Sequence, residues 1–177
     1  MKQVSVLTIA ALLSAFPFCS NAQNPSAKQV KNGSEEPLYT IEANNISIGN
    51  KAFSQVVLRA WKDYDNNTLD NSAGIFADDV MSTFPDGTVV KGKENLLKMT
   101  KEHRNSLAAV SSSINAVTTL KTPDDPEHEV VSIWGTETNT RKDGTTTKTH
   151  LNELWFFNKA GKVVRIHQMA AKDEADK

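Results

Sequence analysis

The segment from Gly87 to Lys93 has the spacing of a phosphate-binding loop, with glycine at its first and sixth positions and lysine at its seventh. In such a loop the glycine-rich backbone surrounds phosphates, the lysine reaches the outer phosphates, and a following Ser or Thr binds magnesium. Here the following residue is Glu94, a carboxylate that would repel phosphate. Val89 and Val90 are β-branched and resist the positive φ angles of such loops. The sequence therefore argues against nucleotide binding.

Turn and helix-start signals explain the same segment without a ligand. Phe84 to Gly87 has proline and glycine at the second and fourth positions of a type I turn. Thr88 to Lys91 predicts a short strand after that turn. Gly92 can then be the N-cap of a helix whose first turn contains Glu94. We therefore predict a strand, a tight turn, a short strand and a helix.

Signatures of metal sites and of enzymatic nucleophiles are absent from the sequence. The only cysteine is Cys19, and no Gly-x-Ser-x-Gly segment is present. The spacing of the four histidines is not that of zinc ligands; they are His103, His128, His150 and His167. The sequence therefore predicts neither a metal nor a cofactor.

The N-terminal residues predict export. An apolar run from Val4 to Phe18 follows Lys2, and small residues precede Gln23 at the positions that a secretory cleavage site requires. Residues 1–22 therefore read as a signal peptide, and we expect a secreted or periplasmic protein. Lipid attachment at Cys19 is the alternative, but the bulky residues before it disfavour that processing.

Charge gives no indication of a polyanionic partner or a membrane. The chain has 20 Lys and Arg against 21 Asp and Glu, with no block of like charge. No second apolar segment is long enough to span a bilayer. We therefore predict neither nucleic-acid binding nor a membrane span.

The first part of the chain predicts a tether followed by helices. Residues 23–45 are polar, contain proline and glycine, and indicate a flexible N-terminal segment. From Ser47 the pattern becomes helical, and Asn66 and Asn67 end it. One apolar stripe marks the helix; its members are Phe53, Val56, Val57, Ala60, Trp61 and Tyr64.

Two shorter helices and a strand should come next. We predict a helix from Leu69 to Phe76 that ends at Ala77, Asp78 and Asp79, and then a strand from Val80 to Phe84. A third helix is predicted from Lys93 to Leu107.

The remainder of the chain predicts long antiparallel strands. Their expected bounds are Ala109 to Lys121, Glu129 to Arg141, Thr145 to Asn158, and Lys162 to Ala170. Asp143-Gly144 and Ala160-Gly161 mark hairpin turns between them. This order predicts an α+β fold with helices packed on one face of a curved sheet.

Side chains in the strand from Thr145 to Asn158 alternate between two faces. One face carries Thr149, Leu151, Glu153, Trp155 and Phe157. The other carries His150, Asn152, Leu154 and Phe156.

Several short motifs, in this order, resemble the SnoaL-like and ketosteroid-isomerase-like proteins of the nuclear transport factor 2-like superfamily. They are Asn-Asn-Thr-Leu-Asp (66–70), Phe-Ala-Asp-Asp (76–79), Pro-Asp-Gly (85–87), Gly-Lys-Glu (92–94) and Leu-Trp-Phe-Phe-Asn-Lys-Ala-Gly-Lys-Val-Val (154–164). The resemblance implies a cone-shaped, strongly curved antiparallel sheet wrapped around a long N-terminal helix, with two further helices. We expect this domain to cover residues 46–172, with a polar tail at 173–177.

Family positions compared one by one argue against steroid isomerisation. The isomerases have a general-base Asp where this chain has Phe84, and a Tyr donor near Ala60 or Trp61. Their second acid corresponds to Glu153. Two of these three positions therefore do not match. The family includes isomerases, cyclases, dehydratases, hydrolases and non-catalytic binders, so the resemblance does not specify a reaction.

The resemblance also predicts a pocket on the Glu153 face of the sheet. Burial there would raise the pKa of Glu153 and suit it to act as a general acid or base, with Tyr64 as a second catalytic candidate. An ion pair with a neighbouring strand, or a place at the exposed rim, is the alternative for Glu153. Asp86 could be a displaced acid or base, but its type also suits a turn. The expected ligand-pocket residues are Trp61, Phe84, Trp134, Trp155 and Gln168.

The opposite face of the sheet could form a homodimer, because Leu154, Phe156 and Met169 lie there beside His150, Arg165 and His167. Coverage by the N-terminal segment is the alternative.

Of three functional hypotheses, the sequence favours a module that binds a small, largely apolar molecule. An isomerase, cyclase or dehydratase that uses Glu153, with Tyr64 or Gln168 orienting the substrate, comes second. A dimerising module with a closed pocket comes third.

Overall fold

The computed structural model describes residues 45–172. The expected signal peptide, most of the 23–45 segment, Cys19 and the 173–177 tail lie outside the described residues. The helices are α1 (Lys51–Asp65), a 3-10 helix (Leu69–Ile75) and α2 (Lys93–Ser106). The strands are β1 (Ser47–Ile48), β2 (Phe76–Thr83), β3 (Val89–Lys91), β4 (Leu107–Lys121), β5 (His128–Arg141), β6 (Thr146–Asn158) and β7 (Val163–Lys172).

The strands form one curved seven-stranded sheet in the order β1-β4-β5-β6-β7-β2-β3. All neighbours are antiparallel except β2 and β7, which are parallel. The α+β class is therefore confirmed, and the arrangement is consistent with the expected cone. The parallel pair joins strands that are distant in sequence, which leaves room for the long connection that parallel strands need.

Helix α1 is 15 residues long and begins later than the sequence pattern indicated. Asn50 is its N-cap, with its side chain accepting the Ala52 N–H at 3.0 Å. Ser47 and Ile48 belong instead to β1 and pair with β4. The expectation of a long N-terminal helix is therefore not confirmed.

The apolar stripe of α1 packs into the core against the inner face of the sheet. Val57, Ala60 and Trp61 are buried, and Phe53 stacks on Phe157 of β6 with ring centroids 4.4 Å apart. The inward residues of β6 at positions 151, 153, 155 and 157 are all buried. The alternation read from the sequence of β6 is therefore the alternation in the structure.

The C-terminus of α1 is held by a buried arginine from α2. The Arg104 guanidinium donates to the backbone oxygens of Tyr64 at 2.9 Å and Asp65 at 3.0 Å. Asp65 in turn accepts hydrogen bonds from the backbone N–H and the hydroxyl of Ser112 in β4. These bonds satisfy carbonyls that a helix end leaves free and fix α1 relative to α2 and β4.

The second predicted helix is a 3-10 helix, and the residues expected to end it are part of a strand. Ala77, Asp78 and Asp79 lie in β2, which begins at Phe76, and the β2–β7 register shifts between Phe76 and Met81. Both aspartates are exposed, and Asp78 pairs with Lys93 at 2.7 Å. The polar composition that suggested a helix end therefore belongs to an irregular part of the sheet, where the acidic side chains point outward.

The segment that resembled a phosphate loop is a hairpin followed by a helix start. The Gly87 N–H donates to the Phe84 oxygen at 3.0 Å, and the Asp86 carboxylate accepts the Thr88 N–H at 2.9 Å. Gly87 has φ +86°, which L side chains rarely adopt. Gly92 is the N-cap of α2. The order of strand, tight turn, short strand and helix is as predicted.

Candidate functional site

A buried carboxylate on β6 is the best-organised polar group in the domain. Glu153 is 5% exposed and accepts three side-chain N–H bonds. The indole N–H groups of Trp61 and Trp155 donate to its Oε2 at 2.6 Å and 2.8 Å. The Gln168 amide donates to Oε1 at 2.6 Å. The donors come from α1, β6 and β7, so the three elements meet at one carboxylate.

Burial raises the pKa of Glu153 above its ordinary value, while its bonds from Gln168, Trp155 and Trp61 oppose that rise. An indole N–H can only donate, so both lone-pair directions of Oε2 are occupied. A proton bound to Glu153 would therefore sit on Oε1, with the Gln168 amide turned to accept it. The carboxyl is thus a plausible proton carrier only through the oxygen that faces Gln168.

A cavity of about 540 Å³ lies between the helices and the inner face of the sheet. Its lining is mostly apolar and includes Leu96, Leu97 and Met99 of α2. Six of the residues singled out in the sequence also line it: Trp61, Tyr64, Phe84, Glu153, Trp155 and Gln168. Asp86 lines the cavity edge while also forming the turn contact with Thr88.

Trp134 does not line the cavity, which corrects its expected place in the pocket. It pairs with Asn152 of β6, on the outer face, and is 39% exposed. Ile133 points inward and is fully buried. The register of β5 with β6 decides which residues of β5 face inward, and the composition of either strand alone does not reveal that register.

The neighbouring Gly135 leaves room for the indole of Trp61. A Cβ at this position would lie 2.8 Å from the Ser113 oxygen and 2.8 Å from Cζ3 of Trp61. Real Cβ atoms essentially never approach so closely, so any side chain would displace the ring or the strand. Gly135 therefore positions the Trp61 donor of the Glu153 site.

Two polar pairs at the cavity were missed in the sequence. Tyr64 Oη lies 2.6 Å from Nδ1 of His103, an exposed residue of α2. Burial raises the pKa of Tyr64. Asn139 Nδ2 donates to Glu137 Oε1 at 2.6 Å.

Alternation along β5 could have revealed the second pair. Glu137 and Asn139 follow Ile133 and Gly135 at every second position, so they share the inner face. Burial raises the pKa of Glu137, the bond from Asn139 lowers it, and repulsion from Glu153 raises it further. The cavity therefore contains a second carboxylate, whose ionisation Glu153 disfavours.

Metal binding has no support in this part of the chain. Within residues 45–172 no group of three or more His, Cys, Asp or Glu side chains is arranged to hold a metal ion. In the same residues, no helix has the length and apolar character needed to cross a membrane.

Replacing Glu153 by Gln should alter how stability depends on pH. A raised folded-state pKa means that wild type is stabilised at low pH and loses stability as pH rises from about 4.5 through the folded-state pKa. Glutamine can still accept the indole bonds but does not ionise. Urea unfolding across this range should show wild type losing stability relative to Glu153→Gln, by about 1.4 kcal/mol per unit of pKa difference.

Glu127→Gln, an exposed position outside the cavity lining, is the control for removing one carboxylate. A difference between wild type and Glu153→Gln that does not change with pH would contradict the raised pKa of Glu153.

Gly135→Ala should destabilise the domain by about 1–3 kcal/mol, because the added methyl overpacks against Trp61 and the Ser113 carbonyl. Urea unfolding measures this loss. Gly74→Ala is the matched control, since a Cβ there meets nothing within 4 Å. Equal stability of the two variants would show that Gly135 is not needed for close packing.

The fold was compared with known proteins. No protein-family model and no curated protein matches the chain. A candidate scytalone dehydratase from Novosphingobium aromaticivorans aligns with a TM-score of 0.59 at 12% identity, over 70% of this chain and 87% of that one. A SnoaL-like protein of unknown function from Burkholderia thailandensis aligns with a TM-score of 0.52 at 18% identity, over 71% and 99%.

A candidate SnoaL-like polyketide cyclase from Jannaschia sp. aligns with a TM-score of 0.54 at 12% identity, over 67% of this chain and 84% of that one. At these identities the likeness concerns the fold and not the activity. The resemblance read from the sequence motifs is confirmed at that level: the chain has the nuclear transport factor 2-like fold of the SnoaL-like proteins.

Proposed function

We propose that the domain binds a small, largely apolar molecule in the cavity between the helices and the sheet. The observation that carries this proposal is a cavity of about 540 Å³ with mostly apolar walls and a buried, fully hydrogen-bonded Glu153 in its lining. Ligand sites are typically of this size, with apolar walls and a few placed polar groups.

The same volume argues against the hypothesis of a dimerising module with a closed pocket. Side chains do not fill the space between α1, α2 and the sheet, although interiors are normally close-packed. The aromatic rings of Trp61, Tyr64, Phe84 and Trp155 offer flat surfaces to a ring-bearing guest.

Blocking the cavity should weaken binding without unfolding the domain. Thr149 of β6 lines the cavity, whereas its neighbour His150 is exposed on the other face. We expect Thr149→Trp to weaken binding of a neutral probe, naphthylmethanol, by about tenfold or more, because the new indole occupies the site. Isothermal titration calorimetry measures the affinity, and His150→Trp is the matched control.

Native mass spectrometry of the protein from its own source should also detect a retained small molecule in wild type and not in Thr149→Trp. Equal binding by Thr149→Trp and wild type would show that the guest sits elsewhere.

Acid-base catalysis is the second candidate function. The Tyr64–His103 contact of 2.6 Å favours it, since it connects a cavity hydroxyl to an exposed imidazole that can exchange protons with solvent. Glu153 would act as general acid or base, and Tyr64 or Gln168 would orient the substrate. Solved structures of the same fold include a candidate cyclase and a candidate dehydratase.

Catalysis predicts that the retained molecule is converted over time by wild type and stays unchanged in Glu153→Gln. A compound that both proteins hold unchanged would support binding alone.

Export and dimerisation complete the proposal. The expected signal peptide predicts a mature chain that begins at Gln23 in a secreted or periplasmic protein, and the intact mass of that protein tests it.

On the outer face, Trp134, Asn152 and Met169 lie in one cross-strand row, with Trp134 and Met169 exposed. A homodimer through this face would dissociate on Trp134→Lys, and a monomeric wild type in light scattering at high concentration would reject it.

A further inference from the structure

The cavity has acidic side chains in its lining. Three carboxylates line it, those of Asp86, Glu137 and Glu153, and no lysine or arginine does among the residues that the structure describes. Asp86 is exposed and engaged in its turn, so it adds little inside. The charge that a guest meets in the interior therefore comes from Glu137 and Glu153.

These two carboxylates differ in how far protein donors satisfy them. Glu153 already accepts three N–H bonds. Glu137 accepts one, from Asn139 to Oε1, and its Oε2 accepts none within residues 45–172. Glu137 therefore retains hydrogen-bonding capacity for a guest.

Asn139, beside Glu137, carries a buried acceptor without a partner in the described chain. Its Nδ2 is used by Glu137, while its Oδ1 is buried without a hydrogen-bond partner in the described chain. Buried acceptors are nearly always paired, and an unpaired one requires an explanation. The cationic side chain that acts on Glu137, Arg104, donates to the backbone oxygens of Tyr64 and Asp65.

The surrounding walls suit a cation as well as an apolar body. Rings of Trp61, Tyr64, Phe84 and Trp155 line the same cavity, and aromatic faces attract ammonium groups. A primary ammonium supplies three N–H donors and no acceptor, which complements a carboxylate oxygen beside an amide oxygen.

We propose that the cavity selects a ring-bearing, apolar molecule that carries a protonated amine, with its ammonium donating to Glu137 Oε2 and Asn139 Oδ1. This inference rests on the proposed function, because it names the class of molecule that the same cavity takes. A neutral hydroxyl can donate to only one of the two acceptors. An anionic guest meets repulsion from both interior carboxylates.

Three probes of matched shape test the proposal: naphthylmethylamine, naphthylmethanol and naphthoate, titrated calorimetrically into the full chain at neutral pH. We expect the amine to bind about tenfold more tightly than the alcohol, because hydrogen bonds to a charged group are the stronger ones. Naphthoate should bind most weakly of the three.

Glu137→Gln should remove the preference for the amine while leaving alcohol affinity within about threefold, since only the charge is lost. Glu94→Gln, an exposed position of α2 outside the cavity lining, should leave the preference intact. Asn139→Ala is a second test of the acceptor pair and should reduce the preference in part. Circular dichroism confirms that each variant is folded.

The outcomes separate this inference from the proposed function. If the alcohol or naphthoate binds wild type as tightly as the amine, the amine selectivity is wrong and the apolar binding site stands. An amine preference that survives in folded Glu137→Gln would also overturn the assignment to Glu137. If wild type binds none of the three probes and retains no molecule from its source, both proposals fail.

Discussion

The hydrogen bond from the Trp61 indole to Glu153 is the contact on which the site depends. It joins a helix to the middle of the sheet through a carboxylate that burial makes costly to ionise. Removal of the carboxylate without a replacement acceptor would leave two indole N–H groups and an amide without a partner. A single side chain therefore couples the packing of α1, β6 and β7 to the polar chemistry of the cavity.

The contact between Trp61 and Glu153 also depends on close packing at Gly135 and on the position of α1. The Trp61 ring can reach Glu153 only because Gly135 leaves β5 without a side chain under the indole. At its other end α1 is fixed by Arg104, whose guanidinium holds two carbonyls of the last turn. The helix is thus held along its length by specific contacts, and the cavity is the space that remains beside it.

Local signals in the sequence predicted local features correctly. The turn at Phe84 to Gly87, the helix start at Gly92 and the alternation of β6 each depend on a few neighbouring residues with strong conformational preferences. The pairing and register of the strands were harder to predict from the sequence. The parallel contact of β2 with β7 depends on register between strands that are distant in sequence. The outward orientation of Trp134 depends on the register of β5 with β6, which decides which residues of β5 face inward.

The missed polar residues have a common physical origin. Glu137 and Asn139 lie on the inner face of β5, where composition alone would suggest a solvent-exposed strand end. Their burial arises because α1, α2 and the curved sheet enclose them, and no short pattern encodes that enclosure. Alternation along β5 places Glu137 on the inner face, but only the fold shows that this end of the strand is enclosed. Glu153 has aromatic neighbours on its own strand as a further signal.

Two carboxyl groups in one largely apolar cavity are costly to ionise. Burial raises the pKa of both carboxyls, and Glu153 raises the pKa of Glu137 further. An apolar side chain at position 153 would leave three donors unpaired, whereas one at position 137 would leave only the Asn139 amide. If the proposed amine binds, its hydrogen bonds to Glu137 would offset part of the cost of placing that carboxylate in the cavity.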